Sequence, residues 1–194
     1  MKKIFSILFM AISVLTAAFA SDYQVDPGHS TIGFEIRHLF TTVHGRFTDF
    51  RGTIHYDKDK PQNSTVNFTV KINSLDTSNA MRDKDLRSPN FFDVDKFPEA
   101  TFSSTRVVFT GNNQARLIGN LTIHGVTKPV GLDIEFLGEG KDPWGKTRGG
   151  FTATTTLSRK DFGIVWNKVM EGGDVLIGDT VNLKIDAEAI EKTP

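Results

Sequence analysis

Apolar and polar residues alternate with a period of two along most of the chain, which is the pattern of β-strands that bury one face. The clearest run lies at residues 130–136, where apolar side chains occupy every second position. The same pattern predicts seven further strands, at residues 31–37, 45–56, 65–72, 101–109, 115–123, 151–157 and 181–188. Short strands joined mostly by turn residues predict an all-β fold.

One segment departs from this alternation. Residues 78–87 are predicted to form a short helix, which Ser78 or Asn79 can cap and which ends at Ser88-Pro89. Strands with one apolar face can form either a sandwich of two sheets or one sheet closed into a barrel, and the pattern alone does not separate the two. Closure would remove the unpaired edges, and a barrel of about eight strands encloses room for side chains or for one small ligand.

The first residues have the pattern of a secretory signal peptide, which we assign to residues 1–20. Lys2 and Lys3 form a basic start, an apolar stretch follows, and Ala18-Phe19-Ala20 fits a cleavage site. A membrane anchor would need about 20 apolar residues and no such site. We therefore predict a soluble, exported protein, periplasmic or secreted, with a single domain over residues 21–194 and no stable membrane anchor.

Composition narrows the set of partners. Two of the 23 Lys and Arg residues lie in the signal peptide, so residues 21–194 carry 21 basic and 23 acidic side chains, a net charge of −2. This balance argues against nucleic acid, which favours a strongly basic face, and it provides no polybasic segment for anionic lipids. The chain has no cysteine, so no disulfide stabilises the fold.

No pattern of catalytic residues or metal ligands stands out in the sequence. It contains no G-x-S-x-G turn, and His29 and Ser30, which could be drawn as a triad with Asp26, should point to opposite faces of a strand. The histidines lack the spacing of a metal site; they are His29, His38, His44, His55 and His124. We therefore predict no enzyme activity, no metal and no cofactor.

An ordered series of motifs runs through the rest of the chain. It starts with Asp26-Pro27-Gly28-His29-Ser30 and Gly45-Arg46-Phe47, and the later members are SLDT (74–77), LRSPNFFD (86–93), FPEATF (97–102), GNLTIHGVTK (119–128) and RKDFG (159–163). In their order these motifs resemble the YceI-like family of exported lipid-binding proteins over essentially the whole predicted mature chain. The resemblance implies a lipocalin-like, eight-stranded antiparallel barrel with one helical insertion, often dimeric.

The resemblance also implies a function. The apolar barrel interior would hold a polyisoprenoid or a similar long-chain amphiphile, as a carrier for transport or storage. The predicted channel residues are Ile32, Phe34, Ile36, Phe50, Phe68, Val70, Phe91, Phe92, Leu132, Ile134, Phe136, Phe151, Leu183 and Ile185. The candidates for contact with a polar head group are Arg82, Asp83, Arg159 and Asp161.

The loop SPNFFDVDKFPEATF (88–102) is unusually rich in Phe for a loop. Large aromatic rings need a surface to bury against, so this loop either plugs the core or contacts an apolar ligand. We expect Phe97 and Phe102 to close the core, whereas Phe91 and Phe92 can equally be a plug or part of the channel wall. The competing hypothesis for the whole protein is a structural or adhesive β-sandwich with a filled core and no ligand.

Overall fold

The computed structural model describes residues 20–57, 59–173 and 175–192, which contain eleven β-strands and one α-helix. The strands are β1 (Ala20–Val25), β2 (Thr31–His38), β3 (Thr41–Phe47), β4 (Phe50–Asp57), β5 (Thr65–Lys71), β6 (Leu75–Asp76), β7 (Glu99–Phe109), β8 (Gln114–Ile123), β9 (Val126–Lys141), β10 (Thr147–Ser158) and β11 (Ile177–Glu191), and the helix is α1 (Ala80–Arg87). Short 3-10 helices lie at Pro27–His29, Pro61–Asn63, Ile72–Ser74 and Arg159–Phe162. The predicted signal peptide lies outside the described residues except for Ala20, which begins β1.

The strands form one antiparallel sheet that closes on itself as a barrel of eight positions. β1 and β2 share one position, because β1 pairs with the end of β11 and β2 pairs with its beginning. β3 and β4 share the next position through their pairs with β2 and β1. The ring then runs through β5, β7, β8, β9 and β10 back to β11. The predicted closed barrel is confirmed, and the sandwich alternative is wrong because the sheet leaves no pair of separate layers.

The strand boundaries differ from the prediction in several places. The short strand β6 was not predicted, and β3, β10 and β11 begin four residues earlier than predicted. The segment 45–56 forms two strands, because the chain bends at residues 48–49, where the Thr48 amide and hydroxyl both donate to the Ser74 carbonyl. β1 was not predicted, since it is short and mostly polar. β9 continues to Lys141, well beyond the clear alternation that ends at residue 136.

Two clusters of buried side chains hold the barrel together. The first joins β1, β2, β4 and β11, and the second joins β7, β8, β9 and β10. The members of the first cluster are Tyr23, Val25, Ile32, Phe50 and Ala189, and those of the second are Phe102, Leu117, Leu132 and Ala153. The buried members of the two clusters lie on different strands, whereas the partly buried Phe68 and Ile185 pack against both clusters.

The connections between strands divide the barrel into two ends. One end carries the β2–β3 turn, α1 with the loop that follows it, and residues 159–176, and we call it the helix end. The opposite end carries the start of β1, the β7–β8 and β9–β10 turns and the last residues of β11, and we call it the termini end.

The helix α1 begins two residues later than the start of the predicted segment. Ser78 has a φ of 59°, which is incompatible with a helical start, and Asn79 caps the helix by accepting a hydrogen bond from the Arg82 amide. Ser88 ends the helix, as predicted. Within the described ranges, no helix is long and apolar enough to cross a membrane.

A network around Arg148 closes the break between β1 and β2. Nη1 of Arg148 donates to Asp26 (2.8 Å) and to Glu188, and Nε donates to Asp142 (2.8 Å). Asp26 also lies 2.9 Å from Nδ1 of His29. The DPGHS motif is thereby tied to β10, β11 and the β9–β10 turn, which gives these polar residues a structural role.

This network predicts a specific loss of stability in acid. The hydrogen bond from Arg148, and next the one from His29, lower the pKa of Asp26 to about 2. An unfolded Asp titrates near pH 4, so the contribution of Asp26 is complete above about pH 4 and is lost as the pH falls towards about 2. We expect Arg148→Ala to lower the free energy of unfolding at neutral pH. Near pH 2 the free energies of the variant and the wild type should become similar, and denaturant unfolding across this pH range measures both.

The exposed ion pair between Arg116 and Asp133 provides the control. Exposed pairs contribute little, so Arg116→Ala should follow the wild-type pH profile. A constant difference between Arg148→Ala and the wild type from neutral pH down to about pH 2 would contradict the role given to Asp26.

Candidate functional site

The barrel encloses a cavity of about 790 Å³. Sites for small molecules typically measure about 300–1,000 Å³, so this volume is sufficient for a ligand. The cavity extends from Met81 and Leu86 of α1 at the helix end to Phe109 and Glu139 at the termini end. Its wall consists mostly of aliphatic and aromatic side chains.

The structure places the predicted channel residues on this wall, with one exception. Those on the wall are Ile32, Phe34, Ile36, Phe68, Val70, Phe91, Phe92, Leu132, Ile134, Phe136, Phe151, Leu183 and Ile185. Phe50 is the exception, because it does not line the cavity and belongs to the first core cluster. Phe50 is therefore a core residue beside the cavity, and we correct its assignment.

The interior is not filled by side chains. Phe34, Phe68 and Phe136 lie on the wall and yet remain only partly buried. Protein interiors are normally packed without voids larger than a water molecule, so inward side chains that stay accessible indicate a genuine cavity. This observation argues against the hypothesis of a filled core.

Glycines on neighbouring strands make room for the aromatic wall. A Cβ atom at Gly45 would lie 2.2 Å from the ring of Phe34, and one at Gly52 would lie 2.7 Å from the ring of Phe68. Each glycine is the direct cross-strand partner of its Phe. The rings therefore lie flat against the sheet instead of projecting into the cavity, which keeps the cavity wide.

The Phe-rich loop covers the helix end of the cavity. Phe91 is 5% exposed and its ring lies 5.2 Å from that of Trp166, whereas Phe92 is partly buried and meets Phe47 edge-on at 6.4 Å. Phe102 belongs to the second core cluster, and Phe97 packs against His124 at 4.6 Å. The loop thus contains both kinds of ring: Phe91 is packed as a plug, and Phe92 retains access to the cavity.

A polar pair crosses the termini end. The Tyr23 hydroxyl of β1 donates to Oε2 of Glu139 on β9 at 2.7 Å, although β10 and β11 separate these strands in the sheet. Burial, and then the hydrogen bond to Glu139, raise the pKa of Tyr23 above its usual range. The carboxylate therefore stands at this end of a mostly apolar cavity.

The sequence pattern did not indicate Glu139, for a clear reason. Inward residues of β9 are even-numbered up to Phe136, and then a bulge adds one residue opposite Gly150 and Phe151. The bulge reverses the alternation, so that Glu139 points inward. Gly138, with a φ of 142°, is the residue that could have suggested the bulge.

The two head-group candidates on α1 have different environments. Arg82 lies on the cavity wall, and its Nε and Nη2 donate to the hydroxyl and carbonyl of Thr77, both at 2.7 Å. Asp83 is 7% exposed and accepts from the Thr77 amide (3.0 Å) and hydroxyl (2.5 Å). Asp83 therefore fixes the start of the helix and does not line the cavity.

The other two head-group candidates, Arg159 and Asp161, also lie in different environments. Arg159 is on the wall, but its guanidinium donates to the carbonyls of Ile164, Trp166 and Gly178 and to the Asp179 carboxylate. These bonds anchor the loop after β10, and burial lowers the pKa of Arg159 despite the opposing effect of Asp179. Asp161 is exposed and lies away from the cavity wall.

One group of possible metal ligands occurs among the described residues. Asp26, His29 and Glu188 place donor atoms within 4.8 Å of one another. Arg148 donates to both carboxylates, so a guanidinium already supplies the positive charge at this position. We assign the group to the structural network described above.

An eight-stranded antiparallel barrel with an apolar cavity and a helix at one end is a lipocalin-like binding fold. The family model described as YceI-like domain matches residues 23–189, and the chain belongs to the YceI-like family. This confirms the resemblance seen in the motifs.

Relatives support the assignment. The UPF0312 protein of Pseudomonas savastanoi pv. phaseolicola is 42% identical over 197 residues, which cover 99% of each chain. The crystal structure of the YCEI protein of Campylobacter jejuni is 32% identical with a TM-score of 0.70, covering 79% of this chain and 88% of that one. A polyisoprenoid binding domain from Saccharophagus degradans shares the fold at 15% identity, with a TM-score of 0.64 and coverage of 88% and 98%.

Proposed function

We propose that this protein is an exported carrier that binds one long-chain amphiphilic lipid, such as a polyisoprenoid, in the barrel cavity. The observation that carries the proposal is the unfilled, apolar cavity of about 790 Å³ inside a closed barrel. The polyisoprenoid binding domain that shares the fold is consistent with this ligand class. Export rests on the signal-peptide pattern of residues 1–20.

The energetics favour a carrier over a permanent store. Burial of each methylene-sized group contributes about 0.8 kcal/mol relative to water, so a five-carbon prenyl unit contributes about 4 kcal/mol. A bilayer removes the same surface from water, and the hydrophobic contribution nearly cancels when the lipid moves between membrane and protein. Cavity shape and polar contacts at its ends then decide the balance, which permits both loading and release.

We further propose that the lipid lies with its head group at the helix end. Arg82 and Arg159 carry positive charges on the wall there, against the one negative charge of Asp85, and Nη1 of Arg82 makes no hydrogen bond within the described part of the chain. Glu139 stands at the opposite end and would repel an anionic head group. An anionic amphiphile is therefore oriented with its tail towards Tyr23 and Glu139.

Organic extraction of the purified protein, followed by mass spectrometry, tests the proposed function. We expect an apolar molecule in stoichiometric amount. Removal of this molecule should lower the melting temperature, because a ligand held only by the folded state stabilises it by about 2.7 kcal/mol at 100 times its dissociation constant. For a domain of this size that is roughly 5–10 °C.

Reloading the delipidated protein with a prenyl alcohol or prenyl phosphate provides the matched comparison. Both lipids should restore the higher melting temperature. The substitution Arg82→Gln should reduce the stabilisation by the prenyl phosphate and leave that by the prenyl alcohol unchanged. A protein that yields no lipid, and whose melting temperature no long-chain lipid changes, would contradict the proposal.

A further inference from the structure

Exposed apolar side chains surround the helix end of the barrel. Phe40 is 88% exposed, Met81 83%, Val169 67% and Val165 62%. Single exposed apolar residues are ordinary, but a large group of them marks an interaction site. We name this group the apolar rim, and its members are Phe40, Met81, Val165, Val169, Met170 and Val175.

Backbone contacts bring the rim residues of two segments together. The amide of Leu39, beside Phe40, donates to the Leu176 carbonyl at 3.0 Å, and the Leu176 amide donates to the Lys168 carbonyl at 2.9 Å. Val169 and Val175 form a β-bridge with each other. The tip of the β2–β3 turn therefore adjoins the segment before β11.

The rim is continuous with the cavity wall. Val165 lies between Ile164 and Trp166, which both line the cavity, and Val175 precedes Leu176, which does so as well. Met81 belongs to the wall and to the rim at once. Apolar side chains thus lead from the cavity to the outside of the helix end at Met81, and the rim residues Val165 and Val175 adjoin wall residues along the chain.

We propose that the apolar rim inserts into the surface of a phospholipid bilayer and holds the helix end of the cavity against the membrane. The inference rests on the proposed lipid ligand, which can pass from a bilayer into the cavity along this surface without exposing its chain to water. Met81 is exposed and also lines the cavity, so a second copy of the protein seated on the rim would instead cover this route into the cavity. Lys168 and Glu171 lie in the same exposed segment and carry opposite charges, so this pair adds no net charge and the docking should depend little on salt.

Cosedimentation with sucrose-loaded phosphatidylcholine vesicles tests this docking. We expect the purified protein to sediment with the vesicles at both low and high salt. Phe40→Ser combined with Val169→Ser should reduce the partition coefficient by roughly 100-fold, because each removed apolar side chain is worth roughly tenfold in binding. Both side chains are exposed, so the folded state should be retained, which melting of the variant verifies.

The termini end provides a matched control. Leu137 and Trp144 are 61% and 81% exposed there, and Leu137→Ser combined with Trp144→Ser should leave vesicle binding unchanged. Weakening by this control variant, or no sedimentation of the wild type, would overturn the inference. A dimer in analytical ultracentrifugation that Phe40→Ser combined with Val169→Ser dissociates would also overturn the inference, because a second copy would then occupy the rim.

The variant Ile134→Glu separates this inference from the proposed function. Ile134 lies inside the cavity and away from the rim, so this variant should lose the lipid and still bind vesicles. If the wild type contains extracted lipid but does not bind vesicles, docking is wrong and the carrier function stands. If vesicles are bound but no lipid is ever found, the carrier function is wrong.

Discussion

Replacing Ile134 with Glu should abolish lipid binding and leave the barrel folded. Ile134 lies in the middle of β9 on the cavity wall, opposite Ala153 on one neighbouring strand and Ala115 on the other. The small partners leave room for a longer side chain, and water in the empty cavity can hydrate the new carboxylate. A lipid tail would displace that water and leave the carboxylate buried without hydration. We therefore expect a loss of affinity of roughly 100-fold or more.

The same chemical change on the outer face gives the control for this prediction. Leu137 lies three residues along β9 and is 61% exposed, so Leu137→Glu should bind lipid like the wild type. Titration with a fluorescent long-chain lipid measures affinity, and circular dichroism confirms the fold. Equal loss of affinity in both variants, or none in Ile134→Glu, would show that the lipid does not occupy the barrel.

The alternation of apolar and polar residues was sufficient to predict most of the wall. A strand with one buried face has its register set by that face, because a shift by one residue would expose the whole set. Phe34, Phe68 and Phe136 accordingly lie inside the barrel, at the positions that period two indicates. Closure itself depends on pairs between β1, β4 and β11 that are distant in sequence, and no local pattern contains that information.

The polar residues of the site were harder to predict, because charge on a loop does not reveal its partner. Asp83 and Arg159 looked like candidates for a head group, yet both are committed to hydrogen bonds that fix the chain around them. Glu139 faces inward only because of a bulge. Phe50 satisfied the alternation but begins β4 at the bend, where it belongs to the first core cluster and does not line the cavity.

The cavity also gives a reason to expect that a ligand inside the barrel would raise the stability of the protein. Two clusters pack on separate parts of the wall, and wall residues such as Phe34 and Phe136 keep some of their surface accessible. A bound lipid would cover that surface and supply the contacts that a filled core would otherwise make. The folded state of the empty barrel relies more on its periphery, including the buried plug at Phe91.

Replacing Phe91 with Ser should destabilise the protein strongly, whereas the same change at Phe92 should mainly weaken lipid binding. Phe91 is 5% exposed and its ring packs at a tilt against that of Trp166, so its removal leaves a hole and should cost about 3–5 kcal/mol of unfolding free energy. Phe92 is partly buried and has an open side towards the cavity, so the empty protein should lose less, on the order of 1 kcal/mol.

Denaturant unfolding of the delipidated variants and the rate of lipid release distinguish the two roles. Phe40→Ser is the control, because Phe40 is 88% exposed and the same substitution there should leave unfolding unchanged. In Phe92→Ser we expect faster lipid release, since the ring stands at the helix end, where Arg82 and Met81 also line the cavity. Equal destabilisation by Phe91→Ser and Phe92→Ser, with unchanged release, would mean that both rings only plug the barrel.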